Sequence, residues 1–230
     1  MTVLIKALLS YLKRPALISI TKNTGQPLLL ILRLTIICIL AGVSAGLFSN
    51  LLVNLKLIPD PGPSILDHKD VSQLEFFIGA VFIAPVMEEL IFRAQLKRFT
   101  GFILFIAFAC GILLTAVTGT YWAFLISPFI FIVLFVIYRY TLAGSISRKF
   151  RLWQRVFPWH FYFTAICFAL VHLSNFERGT ALIPLGILYT LPQFTIGLVL
   201  GFTRMRYGLR YSIALHSLYN LSLAILLFSK

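Results

Sequence analysis

The chain has 230 residues, 60% of them hydrophobic and 12% charged, with a mean hydropathy of +0.95, whereas an ordinary soluble domain is about 45–50% apolar and about 25% charged. These proportions exclude a water-soluble globular fold and, with spans of about 20 residues each, leave little length for a separate soluble domain. Twenty Lys+Arg against seven Asp+Glu give a formal charge of +13; the cations lie at the ends of apolar runs rather than on one face, so nucleic acid is not the expected partner.

The first stretch, residues 1–25, sets Lys6, Lys13 and Arg14 among Leu and Ile without a small-residue cleavage site. It reads as an amphipathic helix in the membrane interface, not as a signal peptide. Residues 26–230 read as a single all-α, polytopic transmembrane bundle of about seven spans. The expected spans are Leu34–Val53, Phe76–Leu96, Phe102–Val117, Tyr121–Tyr138, Trp159–Ser174, Ala181–Phe202 and Tyr211–Phe228, each bounded by charge, Pro or Gly. With the N-terminus in the cytoplasm, sixteen basic residues fall inside, among them Arg93, Arg98, Arg148, Arg204 and Arg210, and only Lys56, Lys69, Arg178 and Lys230 fall outside. That asymmetry predicts N-in, C-out. Pro59–Asp70, with Asp60, Asp67 and Asp70, is then an outer loop.

Pro85, Pro128, Pro184 and Pro192 interrupt apolar runs and predict kinks. Gly42/Gly46 and Gly197/Gly201 each put two small residues on one helix face, a pattern that permits close helix contact. Cys38, Cys110 and Cys167 lie inside apolar runs without metal-type spacing and read as core residues.

Three of the seven acidic residues belong to the outer loop, Glu75 starts the second span, and Glu177 follows the fifth. Glu88 and Glu89 remain, inside an apolar helix, where an ionised carboxylate costs at least a few kcal/mol unless it is paired or faces a polar cavity. Glu89 and Arg93 are four apart with the acid first, so Arg93 can neutralise Glu89 and leave Glu88 free. Two histidines occupy similar surroundings, His172 four residues after Phe168 and His216 four before Asn220. His160, beside Trp159 at the membrane edge, and His68, in the acidic loop, read as interfacial or surface residues.

One free glutamate and two histidines make a three-ligand set of the kind found at catalytic zinc, which leaves a fourth position for water. A metal-free alternative has Glu88 take a proton from water with His172 assisting, while His216 and Asn220 donate to an oxyanion. Both hydrolyse an amide, and the absence of HExxH excludes a soluble zincin arrangement.

Glu88-Glu89-Leu-Ile-Phe-Arg93, Phe168-Ala-Leu-Val-His172 and His216-Ser-Leu-Tyr-Asn220, in that order, resemble the CPBP (Abi-like) family of intramembrane proteases, the CAAX prenyl endopeptidase and bacteriocin-processing group, with its EExxxR, FxxxH and HxxxN signature. The resemblance implies a helical membrane peptidase with its site between helices, acting on peptide or protein substrates, prenylated in some members. It implies Glu88 as the water-activating base, His172 as its partner, His216 and Asn220 as oxyanion or metal contacts, and Glu89, Arg93 and Phe168 as supports. In a metal enzyme, Glu88, His172 and His216 would hold zinc. The expected setting is a bacterial cytoplasmic membrane.

The 84 residues between Glu88 and His172 exceed the family's usual interval, and an inserted hairpin at 102–138 accounts for them while preserving helix direction. By these span limits His172 lies about 20 Å, and His216 about 8 Å, from the inner ends of their helices, so tilt or a different helix start is needed for them to meet. Two other classes use the same residues: a proton-coupled transporter, with the Glu/His cluster as relay, and a non-catalytic scaffold that binds partner helices through the glycine faces.

Overall fold

The computed structural model describes residues 1–21, 25–63, 72–142 and 145–228. Asp67, His68, Lys69 and Asp70 of the expected outer loop, together with Lys22 and Lys230, lie outside the described residues. Helices α1 (Thr2–Lys13), α2 (Pro27–Asn54), α3 (Gln73–Ile78), α4 (Ala84–Phe92), α5 (Phe99–Thr118), α6 (Ile126–Leu142), α7 (Ile146–Val171), α8 (Gly186–Tyr189), α9 (Leu191–Tyr207) and α10 (Leu209–Phe228) account for most of the chain. Among the described residues there is no strand.

Among the described residues three helical stretches, Pro27–Asn54, Tyr121–Thr141 and Ile146–Asn175, are long and apolar enough to cross a membrane. A pair bent by 62°, Leu182–Tyr189 with Leu191–Tyr207, makes a fourth if it is one span. The sixth expected span is therefore broken rather than continuous. The break falls just before Pro192, which occupies the first turn of α9, where its missing N–H costs nothing. The fifth also departs from expectation, because α7 starts at Ile146 rather than near Trp159. Its first half is amphipathic: Arg148, Lys149, Arg151 and Arg155 hide the helix from hydropathy, while Trp153 and Phe157 are buried in the core.

Helix α9 is the axis of the bundle, packed on α2, α7 and α10, and its glycines allow the approach. A Cβ on Gly201 would come within 2.6 Å of the Phe161 ring, and one on Gly197 within 3.0 Å of Phe168. From α2, Gly42 abuts Tyr219 and Ile196, and Gly46 lies against Pro192. All four glycines thus face the interior of this chain, so the scaffold reading loses the faces it requires.

Helices α5 and α6 pack on one another as a hairpin, and Phe99 of α5 joins it to Trp153 of α7. There His160 departs from its expected place: it is 1% exposed, with Nε2 against Gln95 Oε1 and Phe102, Phe105 and Trp153 around its ring. It lies in mid-helix, because α7 begins earlier than hydropathy suggests.

The N-terminal segment is stitched across the basic end of the bundle. Tyr11 of α1 packs on Phe161 and Phe202, and the Tyr162 hydroxyl donates to the Leu12 carbonyl. Lys97 Nζ donates to the Ile18 carbonyl at 3.1 Å, and the Thr21 N–H to that of Arg206 at 2.9 Å. Burial, and then the neighbouring Arg204, hold the Lys97 ammonium below the ordinary lysine range.

Gly201→Ala is expected to destabilise the protein by about 1–3 kcal/mol, the usual cost of overpacking a filled core. Gly46→Ala, whose new methyl meets nothing nearer than Pro192 Cγ at 3.7 Å, should match or exceed wild type through its better helix propensity. Unfolding midpoints in detergent check both, and equal losses would contradict this packing.

Candidate active site

The helix carrying the acidic pair begins with a capping box, Ser72 and Glu75 bonding reciprocally. A single π turn, Gly79–Ile83, then separates α3 from α4. Its cause lies in Pro85, which has no N–H and whose ring crowds the preceding turn. In the π register the Ala84 N–H donates to the Gly79 carbonyl, five residues back. The Ala80 carbonyl would need the same from Pro85, which has nothing to give. Asn220 supplies the hydrogen instead, its Nδ2 donating to Ala80 O at 2.8 Å.

About one and two turns beyond Pro85, Glu89 and Arg93 form the expected ion pair at 3.2 Å, sealed at 0% and 2% side-chain exposure. Ions so buried must have every lone pair and hydrogen occupied. Glu89 receives the Ser212 hydroxyl on Oε2 and the His216 Nδ1–H on Oε1 at 3.1 Å. Arg93 reaches the Gly197 carbonyl at 3.5 Å, and its guanidinium carbon lies 3.8 Å from the Phe168 ring centre, a cation–π contact in a dry setting. Gly197 has to be glycine here, because a Cβ would stand 3.3 Å from that guanidinium as well as against Phe168. Arg204 of α9 donates to the carbonyls of Arg93 and Ala94 at 3.0 and 3.3 Å, closing the end of α4.

Glu88, about 100° further round the helix, points the other way and stays partly open, at 26% side-chain exposure. Its Oε2 is buried without a hydrogen-bond partner. Two imidazoles face it, His216 Nε2 at 3.7 Å and His172 Nε2 at 4.0 Å. Each ring is held by its other nitrogen. His172 Nδ1–H donates to the Phe168 carbonyl at 2.7 Å, and His216 Nδ1–H to Glu89, so both Nε2 atoms are turned to the space beside Glu88. His172 caps the C-terminal end of α7, about 39 Å from its start, and His216 lies seven residues into α10, about 10 Å along it, so the two rings meet although the early start of α7 widens the difference between these lengths.

Among the described residues no group of three His, Cys, Asp or Glu side chains is placed to hold a metal ion. Tetrahedral zinc with bonds of about 2.0–2.1 Å puts its ligand atoms about 3.3 Å apart, and the separations at Glu88 exceed this.

The structure thus brings Glu88, His172 and His216 together, with Glu89, Arg93 and Phe168 beneath them. Asn220 stands apart, on Ala80. Sequence reasoning passed over Ser212 and Arg204. Ser212 was available as a signal, since Ser212, His216 and Asn220 repeat every four residues along one face of α10. Arg204 had no such mark, being one of many basic residues at an inner helix end.

A family profile described as Type II CAAX prenyl endopeptidase Rce1-like matches residues 70–222, two thirds of the chain and all three motifs. No curated protein and no solved structure matches.

Removing one buried ion should cost more than removing both. Arg93→Met, which strands Glu89, is expected to lose about 3–5 kcal/mol, and adding Glu89→Met should recover much of it. Denaturant titration in detergent measures this, and a double variant no better than the single one would contradict the pairing.

Proposed function

The chain belongs to the Type II CAAX prenyl endopeptidase Rce1-like family, and on that premise we propose that it is an intramembrane endopeptidase in which Glu88 activates a water for attack on a peptide bond near the C-terminus of a membrane-held, prenylated protein. The observation that carries this reading is the Glu88 Oε2 itself, a buried carboxylate oxygen with no hydrogen-bond partner, faced by two imidazole Nε2 atoms. A catalytic role is one of the reasons a native structure leaves such an atom without a protein partner.

In the proposed step a water between Glu88, His172 and His216 gives one proton to Glu88 while its oxygen bonds the scissile carbonyl carbon. The carbonyl electron pair moves to oxygen and returns as the carbon–nitrogen bond breaks, and Glu88 passes the proton to the departing amine. His172 and His216 orient the water through Nε2. Glu89 and Arg93 keep Glu88's helix at fixed rotation. No step is routed through a metal.

We place the site in a chain whose seven helical runs cross the bilayer with the N-terminus inside and the C-terminus outside, α1 lying in the inner interface, in a bacterial cytoplasmic membrane. The surplus of basic residues at one set of helix ends supports this orientation. Transport finds less support: the other described acidic residues, Asp60, Glu75 and Glu177, lie in loops or a first helical turn and do not extend the cluster into a path.

Glu88→Gln should lower cleavage by about 10²–10⁴-fold, the usual worth of a general base, at an unchanged unfolding midpoint. Mass spectrometry of new peptide termini in membranes with wild type or Glu88→Gln at equal abundance reads this without a chosen substrate. Identical terminus sets would remove the peptidase reading.

A further inference from the structure

Helices α4 and α5 leave between them an apolar groove of about 320 Å³, walled by Leu90 and Ile91 on one side and by Leu104, Phe105 and Phe108 on the other. Leu90, Ile91, Leu104 and Phe108 are exposed. Gln95 also lines the groove but brings no free polar atom to it, because its Oε1 pairs with His160 Nε2 and its Nε2 donates to the Phe92 carbonyl at 2.9 Å. At 100° per residue Leu90 is turned about 200° from Glu88. The groove therefore opens chiefly on the side of α4 away from the two imidazoles.

One end of the groove is charged. Gln95 and Gly101 meet there, so closely that a Cβ on Gly101 would stand 2.9 Å from the Gln95 Cβ, and the turn between them carries Lys97 and Arg98. Arg98 is exposed. Lys97 is half-buried and gives one hydrogen to the Ile18 carbonyl at 3.1 Å, which leaves two. Arg204 stands near Lys97 and adds a third positive charge. Neither Lys97 nor Arg98 has an ion-pair partner among the described residues. Glu89 is spent on Arg93, and Asp60, Glu75 and Glu177 lie at the opposite end of the bundle, Glu75 at the start of α3 and Glu177 beside Pro63.

In a bilayer an apolar groove is covered by a hydrocarbon chain. Lipid tails are as apolar as leucine, so the groove alone gives no lipid a preference over its neighbours. The cations supply one, since each Lys or Arg near the headgroups favours an anionic lipid by about fivefold. They sit where two apolar helices turn back, at headgroup level, while the groove runs from them along the tails. The prenyl chain of a substrate has no charge of its own to meet them.

We propose that the groove between α4 and α5 binds one anionic phospholipid, an acyl chain lying against Leu90, Leu104 and Phe108 and the phosphate between Lys97 and Arg98. The lipid completes the outer wall of the helix that carries Glu88, and its charge offsets the repulsion among the three cations.

The test titrates the full-length protein in detergent with dioleoylphosphatidylglycerol and, separately, with dioleoylphosphatidylcholine, and reads bound lipid by native mass spectrometry. One phosphatidylglycerol per chain should bind about 10–30-fold more tightly than phosphatidylcholine, the product of two cations. Lys97→Gln and Arg98→Gln should each weaken it about fivefold, and Leu104→Trp, which fills the groove from an exposed position, should abolish it. Lys149→Gln removes a cation at the same end but off the groove, where its Nζ lies 5.3 Å from the centre of the Tyr138 ring, and should bind as wild type does. If Leu104→Trp fails to fold, Arg98→Gln on the surface decides the matter. Equal affinity for the two lipids, or a loss in Lys149→Gln as large as in Arg98→Gln, overturns the site, as does a folded Leu104→Trp that binds normally. Displacement of the lipid by a farnesylated peptide gives the groove to the substrate and overturns it too. None of these readings uses cleavage, so they stand apart from the fate of the peptidase reading.

Discussion

A carboxylate and a guanidinium sealed together inside an apolar bundle set the terms for the residues around them. Burying each ion costs several kcal/mol, and their mutual attraction offsets this only when every remaining hydrogen and lone pair is occupied. Glu89 and Arg93 approach that condition by drawing on four helices, with Arg93 Nη1 held by the ion pair alone. Helix α4 supplies both ions, α7 the face of Phe168, α9 a glycine small enough to admit the guanidinium, and α10 the Ser212 hydroxyl and the His216 imidazole. The packing of the bundle and the geometry of the site are therefore one arrangement. Phe168, which stacks on Arg93, also receives the His172 ring nitrogen on its carbonyl, and His216 touches both glutamates.

Polar residues in an apolar chain are conspicuous, and for that reason the sequence disclosed Glu88, Glu89, Arg93, His172 and His216 as a group. The i, i+4 rule alone foresaw the ion pair. Depth along the helices was not legible. Four arginines and lysines in the first half of α7 lower its hydropathy, so the helix reads as starting near Trp159, yet their opposite face buries Trp153 and Phe157. That early start is what makes His160 a core residue. Asn220 shows a different limit: it pairs with a backbone carbonyl orphaned by Pro85 140 residues earlier in the chain, and no pattern of side chains records such a bond.

Among the described residues, two of the helices that carry the chemistry are not the ones that look most like membrane spans. The long apolar stretches are α2, the α6 region and α7, while α10 with its serine, histidine and asparagine and the π-broken pair α3–α4 fall outside that set. Polarity introduced for the site weakens each as a solitary span, and neighbours restore what is lost. Arg204 closes α4 and Asn220 bridges the π turn. Polar groups inside a bilayer are tolerated where other helices satisfy them.

Because α10 grips the α3–α4 rod at two levels, at Ala80 through Asn220 and at Glu89 through Ser212 and His216, that rod can neither roll about its axis nor slide past its neighbour without breaking a buried polar bond. Glu88 is thereby a stationary tool. The substrate has to travel to it, and across from it His172 opens the 3₁₀ turns of His172–Asn175 and Gly179–Leu185, which replace regular helix between α7 and α8.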